Sequence, residues 1–229
     1  MGGRVCRWCG DDVAMMMAKT VRTQRVNATR ELILATAERM FAERGVHEVS
    51  NRQISEAAGQ GNNTAVGYHF GTKTDLVRAI ARKHSEQIEE RRKELVAAAE
   101  GSTDVRDWIV CLVRPATDHM GSLGVPSWLA RFNAQLMNDP SLREVVIEES
   151  LTSPMMRKIL DGLSECLADL PLEVRLERGD MARSVIVQMC AEYERAVAEG
   201  TPTARATWHD MATGLIDGLV GLWTAPVTR

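Results

Sequence analysis

Residues 51–76 read NRQISEAAGQGNNTAVGYHFGTKTDL, and this stretch decides the fold. Ser50-Asn51-Arg52-Gln53 has the form of a capping box, in which the serine oxygen accepts from the Gln53 backbone N–H and the Gln53 side chain reaches back. A short helix therefore starts at about Asn51, carries Ile54, Ala57 and Ala58 on one face, and stops at Gly59. Gln60-Gly61-Asn62-Asn63 then forms a turn, and Thr64–Phe70 supplies a further pair of helical turns. Immediately upstream, TRELILATAERMFAERG repeats Ile33, Ala37, Met40 and Phe41 at helical spacing. Thr29 reads as its N-cap and Gly45 as its stop. Two short helices joined by a tight glycine-bearing turn make a helix-turn-helix.

The residue types suit DNA. An Asn amide matches adenine N6 and N7, a Thr methyl suits the thymine methyl, and a helix N-terminus attracts phosphate. Asn62, Asn63, Thr64 and Ala65 stand where a recognition helix would enter the major groove. Tyr68 and His69 follow about a turn later, with a hydroxyl and an imidazole suited to phosphate oxygens, as is Lys73 at the start of the next helix. Taken singly, each has a plainer role: a turn, a packing aromatic, a solvated lysine. Their co-occurrence in one short span favours DNA contact.

This segment resembles the DNA-binding part of the tetracycline-repressor (TetR) family of one-component regulators. In that family the third helix typically ends in Tyr-His-Phe followed by a Ser/Thr-Lys dipeptide, and here Tyr68-His69-Phe70 and Thr72-Lys73 occupy those places. The resemblance implies that Arg52, Thr64, Tyr68, His69 and Lys73 touch DNA, and that Ile54, Ala57, Ala58, Val66 and Phe70 hold the helices together. It covers about residues 25–80. Two departures stand out: the turn is one residue longer than the commonest pattern, and Gly67 replaces the usual aromatic, loosening the helix by about 1 kcal/mol relative to alanine.

Few aromatics and abundant Ala, Leu, Met, Glu and Arg favour an all-α protein, and 229 residues suffice for a small domain and a larger one. The division expected is an N-terminal extension over 1–28, the DNA-binding domain over 29–76, and a helical ligand-binding and dimerisation domain over 77–229. The formal net charge of −3 hides a split. Lys19 to Lys83 holds eleven basic and six acidic residues, whereas His84 to Arg229 holds fifteen basic and twenty-three acidic. A basic module on an acidic body is what phosphate binding at one end requires.

The 1–28 segment reads as a disordered arm. Its Met15-Met16-Met17 run is too short, and too close to Asp11, Asp12 and Lys19, to be a signal-peptide core. No stretch is apolar enough to span a membrane, so the chain is expected to be cytoplasmic. Cys6-Arg7-Trp8-Cys9 is a lone CxxC without a second pair or nearby histidines, so no metal site or cofactor is expected. Lys19, Arg22 and Arg25 suit either a minor groove and phosphate backbone or a plain basic tail.

Beyond Lys73 a long connector over about 74–99 leads to helices over about 105–119, 126–136, 141–149 and 154–168. Two long helices close the chain, over about 172–198 and 203–223. In the last, Trp208, Met211, Ala212, Leu215, Ile216, Leu219, Leu222 and Trp223 form a wide apolar face, with Gly214 and Gly218 offering close approach. Such a face serves either a helical core or a homodimer interface. The resemblance favours the interface, because that family pairs through two terminal helices. Trp108, Cys111 and Leu112 on one helix, Trp128, Arg131 and Phe132 on the next, and Met155, Met156 and Ile159 on a third would line a ligand cavity or a core. His119 and Arg183, with Arg131, are further polar groups suited to orienting a ligand.

An enzyme would need a recognisable constellation, and GxSxG, HExxH, Walker and dinucleotide motifs are all missing from the sequence. A protein–protein adaptor would explain apolar terminal helices but not the basic module with its Tyr68-His69 ending. The sequence therefore points to a ligand-responsive, DNA-binding transcriptional regulator. By resemblance it is a homodimeric repressor released from a palindromic double-stranded DNA operator by a small apolar effector.

Overall fold

A computed structural model describes residues 8–61 and 64–228, which form ten helices and no strand among the described residues. In chain order they are α1 (Trp8–Arg44), α2 (Asn51–Ala57), α3 (Ala65–Phe70), α4 (Lys73–Ala99), α5 (Val105–Ser122), α6 (Leu129–Asn138), α7 (Pro140–Thr152), α8 (Pro154–Cys166), α9 (Leu172–Glu199) and α10 (Trp208–Thr224). The all-α expectation holds.

The first helix differs from the sequence reading. It runs unbroken from Trp8 to Arg44, so Thr29 is interior rather than an N-cap, and the described part of the expected arm is helical. Asp11–Thr29 contains no glycine or proline, and its Met, Ala, Lys, Arg and Gln residues propagate a helix readily. At 37 residues it spans about 55 Å. The stop is as expected: Gly45 adopts φ 86° and its N–H bonds to the Phe41 carbonyl. Cys6, the first cysteine of the CxxC, lies outside the described residues.

Two packing sets make the body. Helix α5 lies against α4, α8 and α10, whereas α6 lies against α1, α7 and α9. Helix α4 begins at Lys73 with a Thr72/Asp75 capping box and carries the chain from the helix-turn-helix module into the first set. The module also touches the second set directly, where Phe41 of α1 stacks on Phe132 of α6 at 6.2 Å between centroids, both rings fully buried.

The last helix begins at Trp208, five residues later than expected, because Thr207 caps it through the Asp210 N–H. Its apolar face is not free. Met211, Ala212, Leu215, Ile216 and Leu219 are buried inside the chain, on a helix that packs on α5 and α9, while Trp208 and Leu222 are half-buried. Helical periodicity shows that a face is buried but not whether the partner is the same chain or another. The expected interface on that face is therefore a core. Helix α6 likewise begins at Leu129, not Pro126.

Helices α5 and α8 approach each other closely at one point. Trp108 is anchored by its indole N–H to the Ser102 carbonyl at 3.1 Å, and its ring lies flush on Gly162, where an added Cβ would fall within the ring. Gly162→Ala is expected to cost about 1–3 kcal/mol through overpacking, read as a lower urea midpoint with an unchanged m-value.

Candidate nucleic-acid interface

Helix α2 is built by local capping. Ser50 accepts from the Gln53 N–H at 3.2 Å, and the Gln53 side chain accepts from the Ser50 N–H at 2.7 Å. Its inner face is Ile54, Ser55 and Ala58, not Ile54, Ala57 and Ala58: Ala57 is exposed. Ser55 has a structural task there. Its hydroxyl donates to the Asn51 carbonyl and accepts from the Val66 N–H at 3.4 Å, satisfying a donor in the first turn of α3.

Helix α3 is only six residues long and its N-cap Thr64 makes no side-chain capping bond, so its position depends on outside anchors. Val66 is fully buried. Arg30 of α1 donates to the His69 carbonyl at 2.7 Å and lays its guanidinium over the Phe70 ring at 4.4 Å. Gly71, at φ 85°, turns the chain out of the helix toward α4. The sequence reading missed Arg30 and Ser55 because both act across a fold, 39 and 11 residues from their partners. A serine within the apolar ISEAA run was the one available signal for Ser55.

Several expected contact residues do share the outer surface of α2 and α3. Tyr68 is 83% exposed, with its ring set edge-on to His69 at 5.0 Å. Arg52 and Thr64 are exposed, and His69 is half-buried. Arg52 bonds Glu56 at 2.8 Å, and this carboxylate raises the guanidinium pKa, so the cation is fixed in charge and held one turn from its partner. Two residues differ from expectation. Ala65 is buried, turned inward beside Val66, which excludes it from a groove. Lys73 donates to the Val46 carbonyl at 3.0 Å and the His47 carbonyl at 3.5 Å, so it ties α4 to the α1–α2 loop and has one ammonium hydrogen left to offer. Asn62 and Asn63 lie outside the described residues.

The candidate ligand residues separate into two groups. Trp108, Cys111 and Ile159 are buried in the α5–α8 set, with Leu112, Met155 and Met156 half-buried there. Phe132, Trp128 and Arg131 belong to α6 or its N-terminus: Arg131 stacks on Trp128 at 4.2 Å and pairs with buried Glu194 of α9 at 3.1 Å. The crevices described do not gather them. One of about 360 Å³ lies between the α1–α2 loop and the α6–α7 corner, and one of about 180 Å³ beside Trp108 and Gly162 shares only Trp108 with the expected set. Large apolar side chains mark core and cavity alike, which is why the sequence left both open. Arg183 pairs with Asp180 on the surface of α9, and His119 is fully buried. Burial pushes the Cys111 thiol up to about 11 and the Cys190 thiol up to about 12, so both stay protonated near neutral pH.

The module sits on the body through the larger crevice. His47 pairs with Asp139, and Asp139 also accepts from the Ser141 hydroxyl at 2.7 Å and N–H at 2.9 Å. Ser141 and His47 together hold the Asp139 carboxyl down at about 2. No helix among the described residues is long and apolar enough to cross a membrane.

Residues 33–80 match the family of bacterial regulatory proteins, tetR family. Over 158 residues the chain is 27% identical to the HTH-type transcriptional repressor AcnR of Corynebacterium glutamicum, a match covering 64% of this chain and 73% of that protein. It is also 25% identical over 159 residues to the DNA polymerase II large subunit of Haloquadratum walsbyi, covering 62% of this chain but only 7% of the polymerase subunit. A match to so small a share of the polymerase subunit says nothing of this chain's activity.

Arg30→Ala should loosen α3 selectively. Hydrogen exchange of the amides at 64–71 is expected to speed up by an opening free energy on the order of 1 kcal/mol, discounted for part exposure. Amides of α4 should be unchanged, and Arg30→Lys should restore protection in part by keeping a donor for the His69 carbonyl.

Proposed function

We propose, for a chain that belongs to the tetR family of bacterial regulatory proteins, that it is a homodimeric transcriptional repressor. Helix α3 enters the major groove of a palindromic operator, and the helical body responds to a small-molecule effector. The observation that carries DNA contact is the outward surface of α2 and α3: Arg52 on α2, and Thr64 and strongly exposed Tyr68 at the start and along α3, are all turned to solvent, and α3 is pinned from behind by Arg30 and Ser55. Tyr68, His69 and Arg52 would bond phosphate and set register; Thr64, with Asn62 and Asn63, would read bases. Lys73 would add at most one phosphate bond while keeping the α1–α2 loop in place. Repression is proposed by likeness to AcnR, which bears that name.

Helix α9 supports pairing, not the apolar face of α10. Met181, Val185 and Met189 recur every fourth residue and are 43%, 42% and 50% exposed. On α10, which packs on α9, Gly218 and Gly221 are exposed, and a Cβ there would meet nothing among the described residues. A second copy of this pair of helices would bury the stripe against small residues, as a four-helix interface does. For the effector, the support is a body with buried polar atoms that lack partners, Arg92 Nε and His119 Nδ1.

Selection of bound sequences from random DNA is expected to return a palindrome with half-sites one helical turn apart or a multiple of it. Against that site Tyr68→Ala should weaken binding to all sequences, and Arg52→Ala should also lower the slope of log affinity against log salt by about 1. Recovery of no preferred sequence, with both variants binding as the parent does, would refute the interface.

Val185→Glu/Met189→Glu should abolish the dimer without unfolding the chain, since both side chains are already in water in one protomer. Sedimentation should report a folded monomer with lost operator affinity; a persistent dimer would place the interface elsewhere.

A further inference from the structure

Three helices meet at a buried polar chain that DNA contact does not use. Glu38 of α1, His84 of α4 and His119 of α5 are 9%, 5% and 0% exposed. His84 Nε2 lies 2.9 Å from the Glu38 carboxylate, and His84 Nδ1 lies 2.8 Å from His119 Nε2. The carboxylate can only accept, so His84 Nε2 donates to it. In the neutral chain His84 Nδ1 then accepts from the His119 Nε2–H. Both ring nitrogens of His84 are thereby used, and at the far end His119 Nδ1 is buried without a partner.

We propose that the Glu38–His84–His119 chain is a proton-linked latch that holds α1 of the DNA-binding module against α4 and α5, and that opening it lowers operator affinity. This regulation rests on the DNA-binding reading above. The proton enters at His119 Nδ1, whose lone pair is the free base. The resulting N–H has no acceptor, and the new charge is sealed among three helices, so the contact opens to admit water. Helix α1 carries Arg30, which positions α3, so release of α1 from α4 and α5 loosens the placement of the recognition helices in a dimer.

The surroundings set the direction. Burial, then His84, then Arg91 of α4 lower the His119 pKa to about 4, while Glu38 opposes them. Arg91 is turned toward the Ser122 hydroxyl at 3.2 Å. From α10, His209 is taken by Arg114 and Asp210 by Thr207; from α8, Lys158 is directed to Glu100 and Arg157 to the Thr152 carbonyl. A hydrated His119 in the opened form titrates near the ordinary 6.5. The closed form thus binds fewer protons: the latch is fully effective above 6.5 and is lost progressively as pH falls from 6.5 toward 4. A metal-binding role is not favoured, since no group of three or more His, Cys, Asp or Glu among the described residues is arranged to hold a metal ion.

The test compares the full-length parent with His119→Gln, whose amide keeps a donor for His84 Nδ1 but does not titrate. At pH 7.5 the two should bind the selected DNA site within about twofold, a tolerance of a few tenths of a kcal/mol for a preserved bond. Between pH 7.5 and 5.0 the parent should lose up to about 30-fold more affinity than the variant, tenfold per pH unit below 6.5. His47, His69 and His209 are common to both proteins and cancel. Equal pH dependence would overturn the latch. If the variant fails to fold, the DNA-free parent decides. Its His119 should remain neutral below pH 5.5 by 15N NMR, with exchange of α1 and α5 amides rising as it protonates. Titration near 6.5 without that rise overturns the proposal. Failure of the parent to bind any selected DNA would instead refute the regulator reading, leaving the DNA-free measurement to judge the latch.

Discussion

The stacked pair of Phe41 and Phe132 is the contact on which the arrangement of the molecule depends. A six-residue helix such as α3 has too few internal bonds to hold itself, so its position is inherited from α1 through Arg30 and from α2 through Ser55. Helix α1 in turn takes its position relative to the body from fully buried rings on α1 and α6. An offset aromatic pair contributes about 0.5–1.5 kcal/mol beyond its burial, but its geometric effect is larger: flat faces resist rotation of one helix on the other. The DNA-binding module is thus seated on the body as well as tethered to it by α4.

That seating continues inward as a series of charge-assisted helix ends. Helix α6 has no side-chain cap of its own, and Glu194 of α9 supplies the acceptor for the Ala130 and Arg131 N–H groups, the Ser127 hydroxyl and the Arg131 guanidinium. A carboxylate that is 2% exposed persists because it faces a helix N-terminus and a cation at once. Glu89 of α4 does the same at the start of α8, accepting from the Met155 N–H at 2.9 Å and from the Ser153 hydroxyl. Each device orients one helix by a charge on another. The helices proposed to pair two copies and the helix proposed to read DNA are therefore joined by rigid, directional contacts.

What was legible in the sequence was what is encoded locally. The Ser50/Gln53 capping box and the Gly45 stop stand as written, because each is satisfied within four residues. Failures arose where local chemistry permits more than one outcome. Thr29 has the chemistry of a cap, yet a helix begins only where something interrupts it, and nothing between Asp11 and Thr29 does. Helix α2, at seven residues, is too short for periodicity to choose Ala57 or Ser55 as its inner side. The apolar stripe of α10 was correctly read as buried, but a stripe carries no label for its partner, and the core of the same chain claims it.

Longer-range features were hidden for a different reason. Glu38, His84 and His119 lie 46 and 35 residues apart, and each alone resembles an ordinary surface residue on an amphipathic helix. Only the convergence of α1, α4 and α5 removes them from water, and that removal gives them their properties: an exposed histidine titrates near its ordinary value, whereas His119 is held neutral. The same convergence decides which side chains can matter to control. Residues proposed to touch DNA could be chosen by type, because phosphate and base edges are fixed chemistry. Residues that couple a module to a body are defined by who their neighbours are, and neighbours are a property of the fold.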